Sequence, residues 1–247
     1  ARLARKTAAT ATVMQRRPLL VAGSMGPTGE LFEPMGALTH TSTRDIFAAQ
    51  ANALAEGGVD MLWIETMSST EEIASALEAA KTTGLPVAAT MTFDTAARSM
   101  MGVLPQDLAV FGAANKADFL GANCGIGPAE LLHSISGMAQ AHIDTPLIAK
   151  GNCGIPSYVD GAIHYHGTPA LMADYALFAR DMGVRIIGGC CGTSPDHVAA
   201  MSQALAQTPV RPFDEAAMQQ ALGQPWANIP ENPGAEGRRK SRRSRRK

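Results

Sequence analysis

No apolar run in this chain approaches the roughly 18 residues a helix needs to span a bilayer, so the protein is expected to be soluble, with no membrane partner. No signal-peptide pattern is present, and Cys190 and Cys191 are adjacent, which suits disulfide pairing poorly. The four cysteines are therefore expected as free thiols in a reducing cytoplasm. Six histidines, at 40, 133, 142, 164, 166 and 197, form neither an HExxH nor an HxH-plus-acid arrangement. His164 and His166, in GAIHYHGTP, read as surface residues of a loop. The glycines of GSMGPTG (23–29) are too few and wrongly spaced for a dinucleotide fingerprint, and no lysine follows for a phosphate loop. That segment can still offer backbone N–H groups. Acid is missing from residues 238–247 (RRKSRRSRRK), which hold eight of the 21 basic residues. Without them the body has 13 basic against 22 acidic residues, a net of −9, so it is no nucleic-acid binder by charge. Only the tail offers such a surface, and a like-charge run of this kind is usually a solvated, disordered extension.

The rest of the composition, 46% hydrophobic and 17% charged with 24 glycines, suits one α/β domain with many tight turns. Short Val/Ile/Leu/Ala runs alternate with segments of helical period, as in successive βα units. The runs at 18–23, 59–65, 86–92, 117–123, 146–150 and 184–188 are expected as strands. Helix starts are signalled by Ser69 followed by Glu72, by Thr168 before Pro169 and by Ser194 before Pro195; Gly57-Gly58, Gly84 and Gly183 mark stops. Leu171, Met172, Tyr175, Phe178 and Met182 fall on one helical face and read as core.

A (β/α)8 barrel needs about 250 residues, in repeats of roughly 30. Six units fit within 18–206. The choice lies between an open doubly wound sheet and a TIM (β/α)8 barrel lacking its first two βα units, and the second is preferred. Residues 1–206 are then an N-terminally incomplete barrel domain, 207–237, with five prolines, an irregular arm, and 238–247 the basic tail. Residues 1–17 carry five basic residues and no acid, superficially like a transit peptide, but an internal helix exposed by truncation is the preferred reading.

In parallel α/β folds the working residues gather at the carboxyl ends of strands. There the chain places Ser24, Glu65-Thr66, Thr92, Asn123-Cys124, Gly151-Asn152-Cys153 and Gly189-Cys190-Cys191. If the GANCG (121–125) and GGCCGT (188–193) strands are neighbours in a parallel barrel, three thiolates converge on one rim. Zinc prefers cysteine sulfur in a tetrahedron, so three thiolates leave one position open. Consecutive cysteines can face one metal only where the backbone turns, which the flanking glycines permit. Cys153 is either a fourth ligand that closes the site or a bystander. Glu65, ending the apolar run VDMLWIET, is either paired with an internal Arg or Lys or set to meet a cationic substrate group; the substrate role is preferred. Asn123 and Asn152 are candidates for gripping a substrate's polar groups.

GSMGPTGE, WIET, GANCG, KGNCGIP and GGCCGT, in that order, resemble the homocysteine S-methyltransferase family, which includes betaine-homocysteine methyltransferase and the homocysteine domain of cobalamin-dependent methionine synthase. The likeness covers roughly residues 10–206 and implies an eight-stranded barrel with zinc on Cys124, Cys190 and Cys191, and Glu65 toward the amino group of homocysteine. The family's DGAxGT-type first-strand motif and the Asn-Thr motif of its second strand do not occur here. The implied reaction moves a methyl group from an onium donor to the thiol of homocysteine, giving methionine. Betaine is the first choice of donor. S-methylmethionine, or methyltetrahydrofolate through cobalamin, is the alternative, and an inactive zinc-binding fragment is the rival. Phe93, Tyr158 and Trp63 are candidate faces for a quaternary ammonium, with core packing preferred for Trp63. The sequence leaves a homo-oligomer open.

Overall fold

The structure, a computed structural model, describes residues 1–94, 96–154, 156–159 and 161–226. The basic tail and the last part of the arm lie outside the described residues. The elements run α1 (Arg2–Gln15), β1 (Ala22–Met25), α2 (His40–Glu56), β2 (Met61–Met67), α3 (Thr70–Lys81), β3 (Val87–Met91), α4 (Pro105–Ala114), β4 (Phe119–Cys124), α5 (Pro128–Ala139), β5 (Leu147–Gly151), β6 (Pro156–Val159), β7 (Ala162–Tyr165), α6 (Pro169–Asp181), β8 (Ile186–Gly189), α7 (Pro195–Gln207) and α8 (Glu215–Leu222).

β1, β2, β3, β4, β5 and β8 form one parallel sheet in that order. β1 and β8 are its two edges, and the sheet curls like half of a barrel. Side-chain reach shows the curl. Glu65 on β2 bonds Lys150 on β5, three strands away, a separation of about 14 Å in a flat sheet. Each expected strand is present but begins one to four residues later than the sequence suggests, because the opening residues of the runs serve as entry points. Asp60 and Asp118 show how: their carboxylates accept the backbone N–H of Val21 at 2.6 Å and of Val87 at 2.8 Å on the neighbouring run.

Alternation sorts the faces. Leu62 and Ile64 are fully buried on the helix side of β2, while Met61, Trp63 and Glu65 are half-buried on the concave side. The helix-side core joins Phe47, Ile73, Leu77, Leu108, Leu132, Ile135, Met172 and Tyr175. On the concave side, in register with Thr90 and Ile148, Gly121 must lack a side chain, since a Cβ would meet the Ile148 carbonyl oxygen at 2.0 Å.

Ser69 caps α3 by accepting the Glu72 N–H at 3.2 Å. The reciprocal half of the box is absent: Glu72 Oε1 accepts from Thr28 N and Oγ1, both at 2.7 Å. Thr168 caps α6, and His197 Nδ1 accepts the Ser194 N–H at the start of α7. Residues 1–17 contain helix α1, none of whose residues is buried; Arg5 fastens it to Asp60 and to the Leu19 carbonyl. Two elements depart from the expected pattern. The antiparallel hairpin β6–β7 lies between β5 and α6, where a loop was expected, and the supposedly irregular arm contains α8. Among the described residues, no helix is long and apolar enough to cross a membrane.

Candidate metal centre

Cys124 is the last residue of β4, and Cys190 and Cys191 follow directly on β8, with β5 between the two strands. The fold brings the three sulfurs within 4.8 Å of one another, and the Cys124 and Cys191 sulfurs are 3.9 Å apart. A tetrahedral ion with 2.3 Å bonds to sulfur separates its ligands by about 3.8 Å. Soft thiolates at this spacing fit zinc, and three of them leave a fourth direction free. Backbone turning makes the convergence possible: Cys124 has φ 62°, followed by Gly125 at 75°, and Gly192 has φ 77°. For Cys124 this left-handed conformation is a local strain, on the order of 1 kcal/mol, that its surroundings must hold.

The thiols share protons unequally. The hydrogen bond from Cys124, reinforced by the Lys150 ammonium and by Asn123, brings Cys190 down to about 5 against the cost of burial. Cys124 is driven up correspondingly, chiefly by that same bond to Cys190 and then by burial. A negative charge is therefore already favoured on one sulfur by protein groups alone.

Two asparagines brace the turns. Asn123 is fully buried; its Oδ1 accepts from Thr66 N at 2.8 Å and Thr90 Oγ1 at 2.7 Å, and its Nδ2 donates to Thr66 Oγ1 at 2.8 Å. Thr66, at φ 63°, is another left-handed residue held by these bonds. Asn152 is 2% exposed, donates from Nδ2 to Gly125 O at 2.6 Å, and accepts from Cys191 N at 3.0 Å. The side-chain polar atoms of both amides are engaged by protein groups.

Glu65 has the internal cation that was one of its two expected partners, Lys150 on Oε2, and the Ser24 hydroxyl donates to its Oε1 at 2.5 Å. The ion pair is only partly covered, at 24% and 19% side-chain exposure, so it remains within reach of a ligand. Lys150 also stands 5.3 Å from the Trp63 ring centroid, and the Trp63 indole N–H donates to Thr90. Trp63 thus already faces a cation. Phe93 is buried, at 3% exposure, and Tyr158 is largely exposed.

Cys153 does not join the other sulfurs. Its Sγ is 3.0 Å from both Gly167 O and His197 Nε2, its exposure is 1%, and burial raises its pKa. His164 and His166 are exposed, His166 bonding Ser157 at 2.6 Å. A residue that sequence reasoning missed is Tyr165, at the end of the hairpin. Its ring lies against Gly192, where a Cβ would come within 2.3 Å, and burial and a hydrogen bond to Cys191 push its phenol up. The signal for this hairpin was available in the Asp-Gly pair at 160–161 between apolar residues.

A sequence model described as homocysteine S-methyltransferase matches residues 1–205. The chain is 31% identical over 203 residues to betaine–homocysteine S-methyltransferase 1 of Rattus norvegicus, covering 76% of this chain and 49% of that protein. It is 28% identical over 200 residues to methionine synthase of Mycobacterium leprae, covering 76% of this chain and only 16% of that protein. The apo form of the homocysteine methyltransferase MmuM from Escherichia coli superposes with a TM-score of 0.67 at 25% identity, over 82% of this chain and 69% of that one. The chain therefore spans half or less of the length of these two curated relatives.

Proposed function

Because the chain belongs to the homocysteine S-methyltransferase family, we propose that it holds zinc on Cys124, Cys190 and Cys191 and transfers a methyl group from a small onium donor, betaine first, to the thiol of homocysteine, giving methionine. The convergence of three sulfurs within 4.8 Å, with one direction left open, is the observation that carries this reading. The six-stranded sheet is read with it as a (β/α)8 barrel without its first two βα units, in keeping with the two unpaired sheet edges.

A zinc ion held by Cys124, Cys190 and Cys191 would supply Lewis acidity, which lowers the pKa of a thiol brought to the open direction. The chain's own groups do the rest. Lys150, which lowers the pKa of Cys190, offsets part of the negative charge gathered by the thiolates. Glu65 and Ser24 form an acceptor pair on the concave side, suited to the ammonium of an amino acid whose thiol reaches the rim. Placing the nucleophile in this way converts an encounter into an oriented reaction, and the donor must approach in line with the sulfur. S-methylmethionine and methyltetrahydrofolate delivered through cobalamin fit the same thiol chemistry.

The rival is a barrel that retains zinc but is catalytically silent. Its support is the pair of open edges, which leave part of the concave side uncovered. Zinc-loaded protein is to be assayed for methionine formation from homocysteine with betaine, S-methylmethionine and methylcobalamin in turn. Turnover with one donor, abolished by chelation and restored by zinc, supports the transferase. Stoichiometric zinc with no turnover on any donor selects the silent barrel.

A further inference from the structure

We propose that Asn152 is a positioning residue, whose side-chain amide ties the turn after Cys124 to the turn carrying Cys191 and so sets the spacing of the three sulfurs. The inference rests on the zinc-thiolate reading above and adds to it a residue that acts through the backbone turns carrying the sulfurs.

Position in the sheet is the first argument. The sulfurs stand at the ends of β4 and β8, which are not hydrogen-bonded neighbours; β5 lies between them. Cys124 registers with Gly151, and Gly151 with Gly189, so residue 152 is one step past the last paired residue between the two sulfur-bearing strands. Past those pairs, among the described residues, Cys190 N donates to Gly151 O at 2.6 Å and Cys153 N to Cys191 O at 2.9 Å, both joining the β5 and β8 ends. On the β4 side the ladder stops at Cys124 itself, where two left-handed residues, Cys124 and Gly125, turn the chain away.

Chemistry is the second argument. The bond from Asn152 Nδ2 to Gly125 O, at 2.6 Å, spans that side, and the bond from Cys191 N to Oδ1, at 3.0 Å, returns to the other. Only a group with a donor and an acceptor on one planar unit satisfies both. A carboxylate accepts from Cys191 N but opposes the Gly125 carbonyl, oxygen to oxygen. An alanine makes neither bond, leaving the Cys124 turn to relax. At 2% exposure water does not readily take the place of the amide.

The test compares the full chain with Asn152→Asp and Asn152→Ala, with Cys153→Ala as neighbouring control. Zinc affinity is measured by competition with a chromophoric chelator, coordination by the visible and charge-transfer bands of the cobalt(II) form, and folding by thermal melting without metal. Groups that orient metal ligands typically cost 10–100-fold in affinity when removed. Both variants are expected to bind zinc about 10–100-fold more weakly, with weakened tetrahedral cobalt bands, while each metal-free chain keeps one cooperative transition and Cys153→Ala behaves as the parent. Affinity within twofold of the parent and an unchanged cobalt spectrum in both Asn152 variants would overturn the positioning role alone. Loss of the cooperative transition in both would overturn it too, by making Asn152 a fold residue. A parent chain that binds no stoichiometric zinc would overturn the zinc reading, and this inference with it.

Discussion

Whether Glu65 receives substrate or merely neutralises Lys150 can be decided by two substitutions with opposite expected effects. Glu65→Gln keeps the side-chain shape and an acceptor for Ser24, 2.5 Å away, but removes the charge. Lys150→Met keeps an apolar stem against Trp63 and removes the competing ammonium. A charge-assisted hydrogen bond from the homocysteine ammonium is worth about 1.5–3 kcal/mol, or roughly 10–150-fold in the dissociation constant. Glu65→Gln is expected to weaken homocysteine binding by that factor, whereas Lys150→Met leaves it unchanged or tightens it. Binding is read by titrating homocysteine into the cobalt(II)-loaded chain and following the sulfur-to-metal charge-transfer band. The pair is covered more than a surface bridge and less than a core one, at 24% and 19% exposure. Each single change should therefore cost about 1–3 kcal/mol of stability, between the two limits, or several degrees of melting temperature. Homocysteine affinity within twofold of the parent in Glu65→Gln, or equal weakening in both variants, refutes the substrate role and leaves Glu65 as an internal counter-ion.

Cys124→Ala and Cys190→Ala should each lose stoichiometric zinc, measured by metal analysis after dialysis, whereas Cys153→Ala should retain it because its sulfur is occupied by Gly167 O and His197. In metal-free protein, alkylation of Cys190 by iodoacetamide should remain fast at neutral pH and fall only as pH drops through about 5. Without the Cys124 donor, in Cys124→Ala, that midpoint should rise toward the ordinary thiol range near about 8.5; peptide mapping of the alkylated cysteine checks both. Tyr175→Phe removes the buried hydroxyl that accepts from Gly151 N at 3.1 Å and donates to Gly188 O at 3.3 Å. The stranded N–H should cost about 1–3 kcal/mol in a urea titration, and an unchanged midpoint would contradict this.

Six strands were legible because each is a short run rich in aliphatic residues ending in polar or glycine residues, and the thiol cluster because Cys124 and Cys190-Cys191 follow such runs directly. Periodicity does not reveal how far a sheet curls, so the meeting of Glu65 with Lys150 stayed one of two options until three strands were seen to bend around it. The protein partners of Asn123 and Asn152 were not legible, because local sequence cannot show that Thr66 of β2 and the turn residues Gly125 and Cys191 come within hydrogen-bond reach of them. Cys153 is the converse case. Its neighbours in KGNCGIP resemble those of Cys124 in GANCG, yet residue 124 turns into the left-handed region and residue 153 is buried against Gly167.

The sulfurs sit on β4 and β8, while the acceptors suited to an amino group, Ser24 and Glu65, sit on β1 and β2 toward the other edge. A preparation can thus carry its full complement of metal while the β1 edge has frayed and the amino-acid end of the cleft is lost. Zinc content certifies only one side of the sheet. Amide exchange along β1, or homocysteine binding itself, is the assay that certifies the other.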